Sequence, residues 1–308
     1  MRILFNKRQI IMSKIKYYNT FMAVAVVLFA MMTVSCEKSP VDKGTDETDR
    51  MIDIRTSIEA LTKSPALDGN GEGNFSNGDI FTLVVSGSGF PNIDTSYTVG
   101  TTDLSWADLN LPEDAGNVYF SGCYPVQGKA VDGILTFVVS PAEKTDLLLA
   151  EAVQVGKNSE DAVSLVFKHA LHKLVVKYVS DDLTDEQLSE ISTSVKALSS
   201  CGIDLAKGAI QNGTASGLSE VGTMHGSQVS CFIVPQEKDN VTLEVSLGDM
   251  VRTLSVPDND QDGRPVSMLD GGRCLTVQIN VSSDKIELDG VQIEGWGQQG
   301  SVDGDIEL

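Results

Sequence analysis

Short runs in which apolar and polar residues alternate recur along most of this chain, separated by clusters of Gly, Asn, Asp and Ser. One such run, residues 52–60, places its apolar side chains at every second position, which is the period of a strand with one buried face. Further runs follow at a spacing of roughly 10–15 residues, which is typical of sandwiches and barrels. The sequence therefore predicts an all-β fold with little helix.

The expected strands are rich in Val, Ile, Thr and aromatic residues and are bounded by turn residues. They are residues 52–60, 79–86, 97–99, 104–109, 117–124, 135–139, 146–155, 163–167, 171–178, 202–205, 228–234, 241–247, 250–256, 273–281 and 285–293. The segment 181–192 is the best helix candidate, because Thr184 and Gln187 have the spacing of a capping box.

Residues 21–34 form an uninterrupted apolar run behind the basic residues Lys14 and Lys16. A membrane span needs about 20 such residues, whereas a shorter run is typical of a signal peptide. The run ends in Thr-Val-Ser-Cys, which resembles the lipobox of bacterial lipoproteins. We expect residues 1–35 to be a lipoprotein signal peptide, with either Met1 or Met12 as its start. Cys36 then becomes a lipidated N-terminus, or remains a free cysteine if cleavage is of the ordinary kind.

The rest of the chain divides by composition. Residues 36–50 are charged and contain Pro and Gly, so we expect a flexible tether. A polar stretch at 156–161 separates two sets of expected strands. We therefore predict an N-terminal β-sandwich domain at 51–160 and a C-terminal one at 161–308.

The formal net charge is −20, and the leader carries basic residues but no acid, so the remainder is more acidic still. A surface of this sign repels nucleic acid and anionic membranes. The charge pattern excludes nucleic acid as a partner and predicts a solvated acidic exterior.

Four cysteines follow Cys36, namely Cys123, Cys201, Cys231 and Cys274, and their spacing matches no zinc motif. Three complete pairings are open to them, and an exported protein permits disulfides. The sequence favours no pairing, and buried free thiols are the simpler expectation in a chain of this length.

No set of residues predicts catalysis or a cofactor, so we expect a protein that is not an enzyme. His169 and His172 are three apart in a strand and face opposite ways, which disfavours a shared metal. Asp258, Asp260 and Asp262 precede Gly263 as in the first half of a calcium-binding loop. Leu269 stands where that loop requires a bidentate Glu, so a polar turn between strands is the favoured interpretation.

Several short motifs, in this order and spacing, resemble the fimbrillin-like proteins of type V pili. They are the lipoprotein leader, Thr62-Lys63-Ser64, Phe75 to Ile80, Val118-Tyr119-Phe120, Tyr124-Pro125, Asp146 to Ala150, Leu165 to Leu174, and Ile293 to Gly297. The resemblance spans residues 51–308. One departure is His172, where the common form of the motif has Ser.

The resemblance implies two transthyretin-like β-sandwich domains with Greek-key connections. It also implies lipidation, export to the outer membrane, proteolysis near the N-terminus and polymerisation by strand exchange with other pilus subunits. Lys63, in a loop after the strand 52–60, is the cleavage candidate that would release that strand. Arg50 and Arg55 are the other candidates. Residues 302–308 are a candidate donor strand, and Trp296 is expected to pack at the base of a domain.

The sequence thus predicts a structural or accessory subunit of cell-surface fimbriae that serves adhesion to a host or bacterial surface ligand. Stalk, tip and anchor positions stay open. The alternative is a monomeric, lipid-anchored surface module that binds glycan or calcium and never polymerises.

Overall fold

The computed structural model describes residues 50–59, 75–128, 130–139 and 146–295. Within these ranges the regular structure is almost entirely strand, which confirms the all-β class. One short helix, α1 (Asp185–Ser189), and one 3-10 turn, Lys238–Asn240, are the exceptions there. The strands in chain order are β1 (Ile54–Ile58), β2 (Ile80–Gly87), β3 (Ile93–Thr98), β4 (Asn117–Tyr124), β5 (Ile134–Val138), β6 (Leu148–Gly156), β7 (Val163–His169), β8 (His172–Val179), β9 (Ser192–Asp204), β10 (Ala209–Ile210), β11 (Ser216–His225), β12 (Gln228–Ile233), β13 (Gln236–Glu237), β14 (Thr242–Leu247), β15 (Met250–Ser255), β16 (Met268–Leu269), β17 (Arg273–Val281) and β18 (Ile286–Gly295).

Six strands form the first sheet, in the order β1-β7-β6-β4-β2-β3. Neighbouring strands are antiparallel except for β1 and β7, which run parallel. Both faces of this sheet are buried along β2, where every residue from Phe81 to Ser86 is buried. Burial on both faces explains why β2 reads as a nearly continuous apolar run instead of an alternating one.

The second half of the chain builds two further sheets that pack face to face. One has the order β10-β9-β14-β15, with β5 and β11 also paired to β9, and the other has the order β12-β8-β17-β18. A cluster of buried aliphatic side chains fills the space between them, including Leu174, Val195, Leu243 and Val277. This is the arrangement of a β-sandwich, with the interior faces of two sheets forming one core.

A separate buried cluster joins the first sheet to β5 and β9. Cys123 and Leu149 of the first sheet pack there with Phe137, Cys201 and Ile203. Two hydrogen bonds reinforce this contact. The Ser121 hydroxyl donates to the carbonyl of Leu205 at 2.5 Å, and the Ala152 amide donates to the carbonyl of Lys207 at 3.1 Å.

Sheet membership does not follow the expected boundary at residue 160. Strand β7 lies beyond it yet pairs with β6 in the first sheet, and β5 lies before it yet pairs with β9. Such pairings depend on contacts between distant residues, which composition does not report. The division into 51–160 and 161–308 stays a prediction.

The capping box expected before the helix is present. The Gln187 amide donates to the Thr184 hydroxyl at 3.3 Å, and the Thr184 amide donates to the Gln187 side-chain oxygen at 3.0 Å. The helix itself is shorter than the expected segment 181–192, because it ends after Ser189.

The prediction of a strand at 104–109 was wrong, since residues 106–110 form a turn and Ser105 makes only an isolated bridge with Met51. Ser105 and Asp108 explain the difference: the Asp108 carboxylate accepts both the Ser105 amide at 2.8 Å and the Ser105 hydroxyl at 2.7 Å. Local side-chain bonds of this kind compete with a strand ladder. The turn places Trp106 in the core under the first sheet.

The link between β7 and β8 is bound by two segments, Leu147 before β6 and the turn 270–272 before β17. The Ala170 amide donates to the Leu147 carbonyl at 2.8 Å, and the Leu171 carbonyl accepts the Gly272 amide at 2.9 Å. His172 is fully buried, and its Nδ1 lies 2.7 Å from the carbonyl oxygen of Asp270, to which the neutral Nδ1–H tautomer donates. Burial lowers the pKa of His172 to about 4.

Gly208→Ala should destabilise the contact between the first sheet and β9. A Cβ at Gly208 would lie 1.9 Å from the carbonyl oxygen of Ala150, and the φ of +64° is unfavourable for Ala. We expect the free energy of unfolding to fall by about 3–5 kcal/mol, measured by urea denaturation.

Gly213→Ala is the matched control, because its φ is +71° but no atom lies within 4 Å of the added Cβ. It should cost only about 1 kcal/mol. Equal losses in the two variants would contradict the close approach at Gly208.

His172→Ser should flatten the pH dependence of stability between pH 4 and 6.5. The unfolded state binds a proton to His172 below about 6.5, whereas the folded state binds it only near pH 4. The contribution of neutral His172 to the free energy of unfolding is therefore complete above pH 6.5 and is lost as the pH falls towards 4. We expect the wild type to lose about 3 kcal/mol more than the variant over this range.

His225→Ser is the control at an exposed histidine, and its stability should follow the wild-type pH curve. Burial raises the pKa of Asp146, which acts in the opposite direction, but Asp146 is common to all three proteins and drops out of the comparison. Parallel curves for His172→Ser and the wild type would contradict the assignment.

Candidate strand-exchange site

Strand β1 lies at the edge of the first sheet, and β7 is its partner along the whole strand. The register pairs Ile54 with Val163 and Ile58 with Phe167. On its other side β7 pairs with β6 only near its own end, at residues 167–169. For the first part of β7, β1 is therefore the strand partner among the described residues.

Backbone hydrogen bonds extend this attachment at both ends. The Val163 amide donates to the Asp53 carbonyl, and the Glu59 amide donates to the Phe167 carbonyl, each at 2.8 Å. Further back, the Ile52 amide donates to the Leu104 carbonyl at 2.8 Å, and the Trp106 amide donates to the Arg50 carbonyl at 3.0 Å. The segment 50–59 is thus bound to the protein along its described length.

The side chains of this segment cover the core of the first sheet incompletely. Ile54 and Ile58 are half-buried against it, whereas Ile52 is buried. Their neighbours across the pairing, Val163, Leu165 and Phe167 of β7, are 0% exposed while β1 is in place. Strand β1 therefore lies beside fully buried apolar side chains, which we call the groove, while its own Ile54 and Ile58 are only partly buried.

Aromatic rings form the floor of the groove near Ile58. Phe75 packs edge-on against Phe167, with ring centroids 4.8 Å apart, and also against Tyr124 at 5.4 Å. Phe81 contacts both Phe75 and Tyr97. Burial raises the pKa of Tyr97, and the carboxylates of Asp53 and Asp103 raise it further, so its hydroxyl stays neutral.

The two candidate arginines are both inside the bound segment. The Arg50 guanidinium donates to the Asn158 carbonyl at 2.7 Å and pairs with Glu160 at 3.1 Å. The Arg55 side chain is exposed and pairs with Asp53 at 2.7 Å, but its backbone lies within β1. A protease needs an extended, unpaired backbone, so neither site fits cleavage of the folded protein.

The remaining candidates at the two ends of the chain lie outside the described residues. They are the lipidation candidate Cys36, the cleavage candidate Lys63, Trp296 and the donor candidate 302–308. Within the described ranges, no helix is long and apolar enough to cross a membrane.

The three aspartates considered for calcium lie in a turn where each has a protein partner. Asp258 pairs with Lys238 at 2.8 Å, and Asp262 pairs with Arg264. The Asp260 carboxylate is buried and accepts the amides of Asp262 at 2.9 Å and Arg264 at 2.8 Å. No cluster of three or more potential metal ligands occurs in the described part of the chain.

Sequence reasoning missed two parts of this site. It did not identify β7 as the partner of β1, although the alternation of Val163, Leu165 and Phe167 signals one buried face. It also overlooked Phe75 as an anchor of the chain. Neither contact can be predicted from local sequence pattern, because both join residues far apart in the chain.

Comparison with known proteins gives a consistent picture. A sequence profile described as fimbrillin-like matches residues 72–296, well over half of the chain. No curated protein matches significantly.

Solved structures resemble this one over most of its length. A candidate cell adhesion protein from Bacteroides uniformis is 17% identical, with a TM-score of 0.56 over 80% of this chain and 99% of that one. Another from Bacteroides ovatus is 18% identical, with a TM-score of 0.56 over 80% and 98%. At this identity the likeness concerns the fold alone. The profile match identifies the family, and the chain belongs to the fimbrillin-like proteins.

Proposed function

We propose that this protein is a subunit of cell-surface fimbriae, a structural or accessory one, that assembles by exchange of strand β1. It is exported as a lipoprotein through Cys36, and proteolysis then removes β1 together with the lipid. A strand from a neighbouring subunit takes the place of β1. The observation that carries this proposal is an edge strand with half-buried side chains, paired with a strand whose inward side chains are apolar and fully buried.

The position of the cut follows from what is bound on each side. Residues 50–59 are fixed to the sheet by their hydrogen bonds, and Phe75 is fixed by its aromatic contacts. A cut between residues 60 and 74 would separate β1 from the rest and leave Phe75 in place. Lys63 lies in this interval and is the cleavage site that we propose.

Loss of β1 leaves a state that favours association. The unpaired edge of β7 carries backbone groups without partners, and the exposed groove is apolar. Exposing an apolar side chain costs about 1.5–3 kcal/mol when it was fully buried, so several such groups amount to much of the stability of an ordinary domain. An incoming strand restores both the hydrogen bonds and the burial.

The strand that fits must repeat the pattern of β1, with apolar residues at alternate positions. In the segment 52–58 these positions hold Ile52, Ile54 and Ile58, with Thr56 at the one alternate position that is not apolar. The segment 302–308 has the same length and a similar alternation in sequence, since Val302, Gly304, Ile306 and Leu308 alternate with acidic residues. We propose it as the donor strand.

The lipid and the fibre define where the protein acts. Acyl chains on Cys36 hold the precursor at the outer membrane, and the processed subunit belongs to the fimbrium. Its partners are other pilus subunits and a surface ligand on a host or bacterial cell. A subunit that kept Cys36 and β1 would instead be a basal anchor or a monomeric binding module.

Lys63→Gln should block processing. We expect the variant to keep its lipidated N-terminus, and to lose the detergent-resistant ladders that an assembled fibre gives on gels. Mass spectrometry of the N-terminal peptide from native membranes measures the first effect directly.

Arg55→Gln is the control, because it removes a basic residue within β1, where the backbone is paired with β7. It should be processed and should polymerise like the wild type. Processing of Lys63→Gln at a normal rate would refute Lys63, and an intact lipidated Cys36 in all wild-type molecules would refute the polymerising subunit.

A further inference from the structure

A pocket of about 260 Å³ opens at one end of the sheet formed by β12, β8, β17 and β18. It lies where β17 begins and β18 ends, beside the segment that leads into β17. The polar side chains that line it are Asp260, Arg264, Ser267, Asp270 and Arg273. None of its lining residues belongs to β1 or β7, so strand exchange does not use this pocket.

One wall of the pocket is the turn before β17, which is fixed to the link between β7 and β8. The neutral His172 ring donates from Nδ1 to the Asp270 carbonyl at 2.7 Å, and the Gly272 amide donates to the Leu171 carbonyl at 2.9 Å. The backbone of Asp270 is therefore held in place while its side chain is exposed. The Arg273 side chain is also exposed, and it forms no ion pair with the residues that the structure describes.

A second wall is the loop that contains Asp260 and Arg264. The Asp260 carboxylate is buried and accepts the amides of Asp262 at 2.9 Å and Arg264 at 2.8 Å. The Gln261 amide donates to the Val291 carbonyl of β18 at 2.9 Å. The backbone of Arg264 is thus fixed, whereas its guanidinium pairs with exposed Asp262. Exposed ion pairs contribute little to stability, so a ligand can take the place of this one.

Apolar surface completes the pocket. Pro265, Met268 and Ile293 line it, and the Met268 side chain is 43% exposed. Met268 is held by the pairing of β16 with β13, where it lies opposite Glu237. Apolar atoms beside a few fixed polar groups are the usual composition of a small-molecule site. Because the walls are preformed, a ligand need not order them.

The charges of the lining side chains define the kind of ligand that fits. Two arginines and two aspartates line the pocket, so their charges balance. The net charge of −20 on the whole chain repels anions, and the two guanidinium groups repel cations. A neutral ligand remains, and it must both donate and accept hydrogen bonds, because guanidinium groups only donate and ionised carboxylates only accept. Hydroxyl groups meet both requirements.

We propose that this pocket binds one neutral sugar residue of a surface glycan. The proposal rests on the proposed function, since it names the class of the surface ligand and the place where it binds. Arg264 and Arg273 donate to sugar oxygens, the Asp270 carboxylate accepts from sugar hydroxyls, and Met268 contacts the C–H face of the ring. Sites for drug-sized ligands have volumes of about 300–1,000 Å³, so this smaller pocket accommodates a single ring.

The test measures sugar binding by the full, unassembled chain in a zwitterionic detergent that has no sugar headgroup. Saturation-transfer NMR compares glucose, galactose, mannose and N-acetylglucosamine with glucuronic acid and N-acetylneuraminic acid. We expect at least one neutral sugar to bind and both acidic sugars to bind about tenfold more weakly or not at all. Absence of binding by all four neutral sugars, or preference for an acidic sugar or an acidic peptide, would overturn the proposal.

Two variants locate the site. Arg273→Gln and Asp270→Asn should each weaken binding of the neutral sugar about tenfold, because each removes a charged hydrogen-bonding group. Both side chains are exposed, and the bond from His172 uses the backbone of Asp270, so the unfolding midpoints should match the wild type. Arg252→Gln on β15 is the control at an exposed arginine outside the pocket, and it should bind like the wild type. Undiminished binding by both pocket variants would contradict the assignment.

The Met268 methyl group gives a readout that needs no variant. Its NMR resonance should shift when the sugar is added, whereas that of Met224, which packs against the core, should not. An unshifted Met268 resonance on saturation with a bound sugar would place the sugar elsewhere and overturn the proposal. Because the protein is unassembled in these experiments, their failure leaves strand exchange untouched, and failure of cleavage at Lys63 leaves sugar binding untouched.

Discussion

The parallel pairing of β1 with β7 satisfies the backbone hydrogen-bonding groups of β7 at the outer edge of the first sheet. Along residues 163–167 it supplies the backbone partners of β7 and the cover over side chains that are 0% exposed. Five residues provide this pairing, and their own isoleucines are only partly buried. The edge beside β7 is favourable to occupy, but so short a strand as β1 can be replaced by any strand of matching pattern. Fimbrial assembly, as we propose it, uses this property.

The rest of the molecule is built so that the loss of β1 need not unfold it. The β-sandwich formed by the two later sheets has its own core, and a separate cluster with two hydrogen bonds attaches the first sheet to it. The link between β7 and β8, where buried His172 is bound to the Asp270 carbonyl, also connects the first sheet to the later sheets. These contacts lie away from β1, so we expect the groove to keep its shape when it is empty.

Local patterns in the sequence predicted the features that depend on local physics. Alternation at 52–60 predicted β1, the Thr184–Gln187 spacing predicted a capping box, and the run of Asp and Asn before Gly263 predicted a turn. Features that depend on contacts between distant residues could not be predicted from these local patterns. The parallel pairing of β1 with β7 and the pairing of β5 with β9 join residues far apart in the chain. At 104–109 we expected a strand, but side-chain bonds between Ser105 and Asp108 favour turns.

The most direct test is the structure of the assembled fibre by electron cryomicroscopy. Our account predicts that the strand beside residues 163–167 of each subunit belongs to its neighbour and that residues 54–58 of the same subunit are absent. Fibres in which every subunit retains its own β1 beside β7 would contradict it.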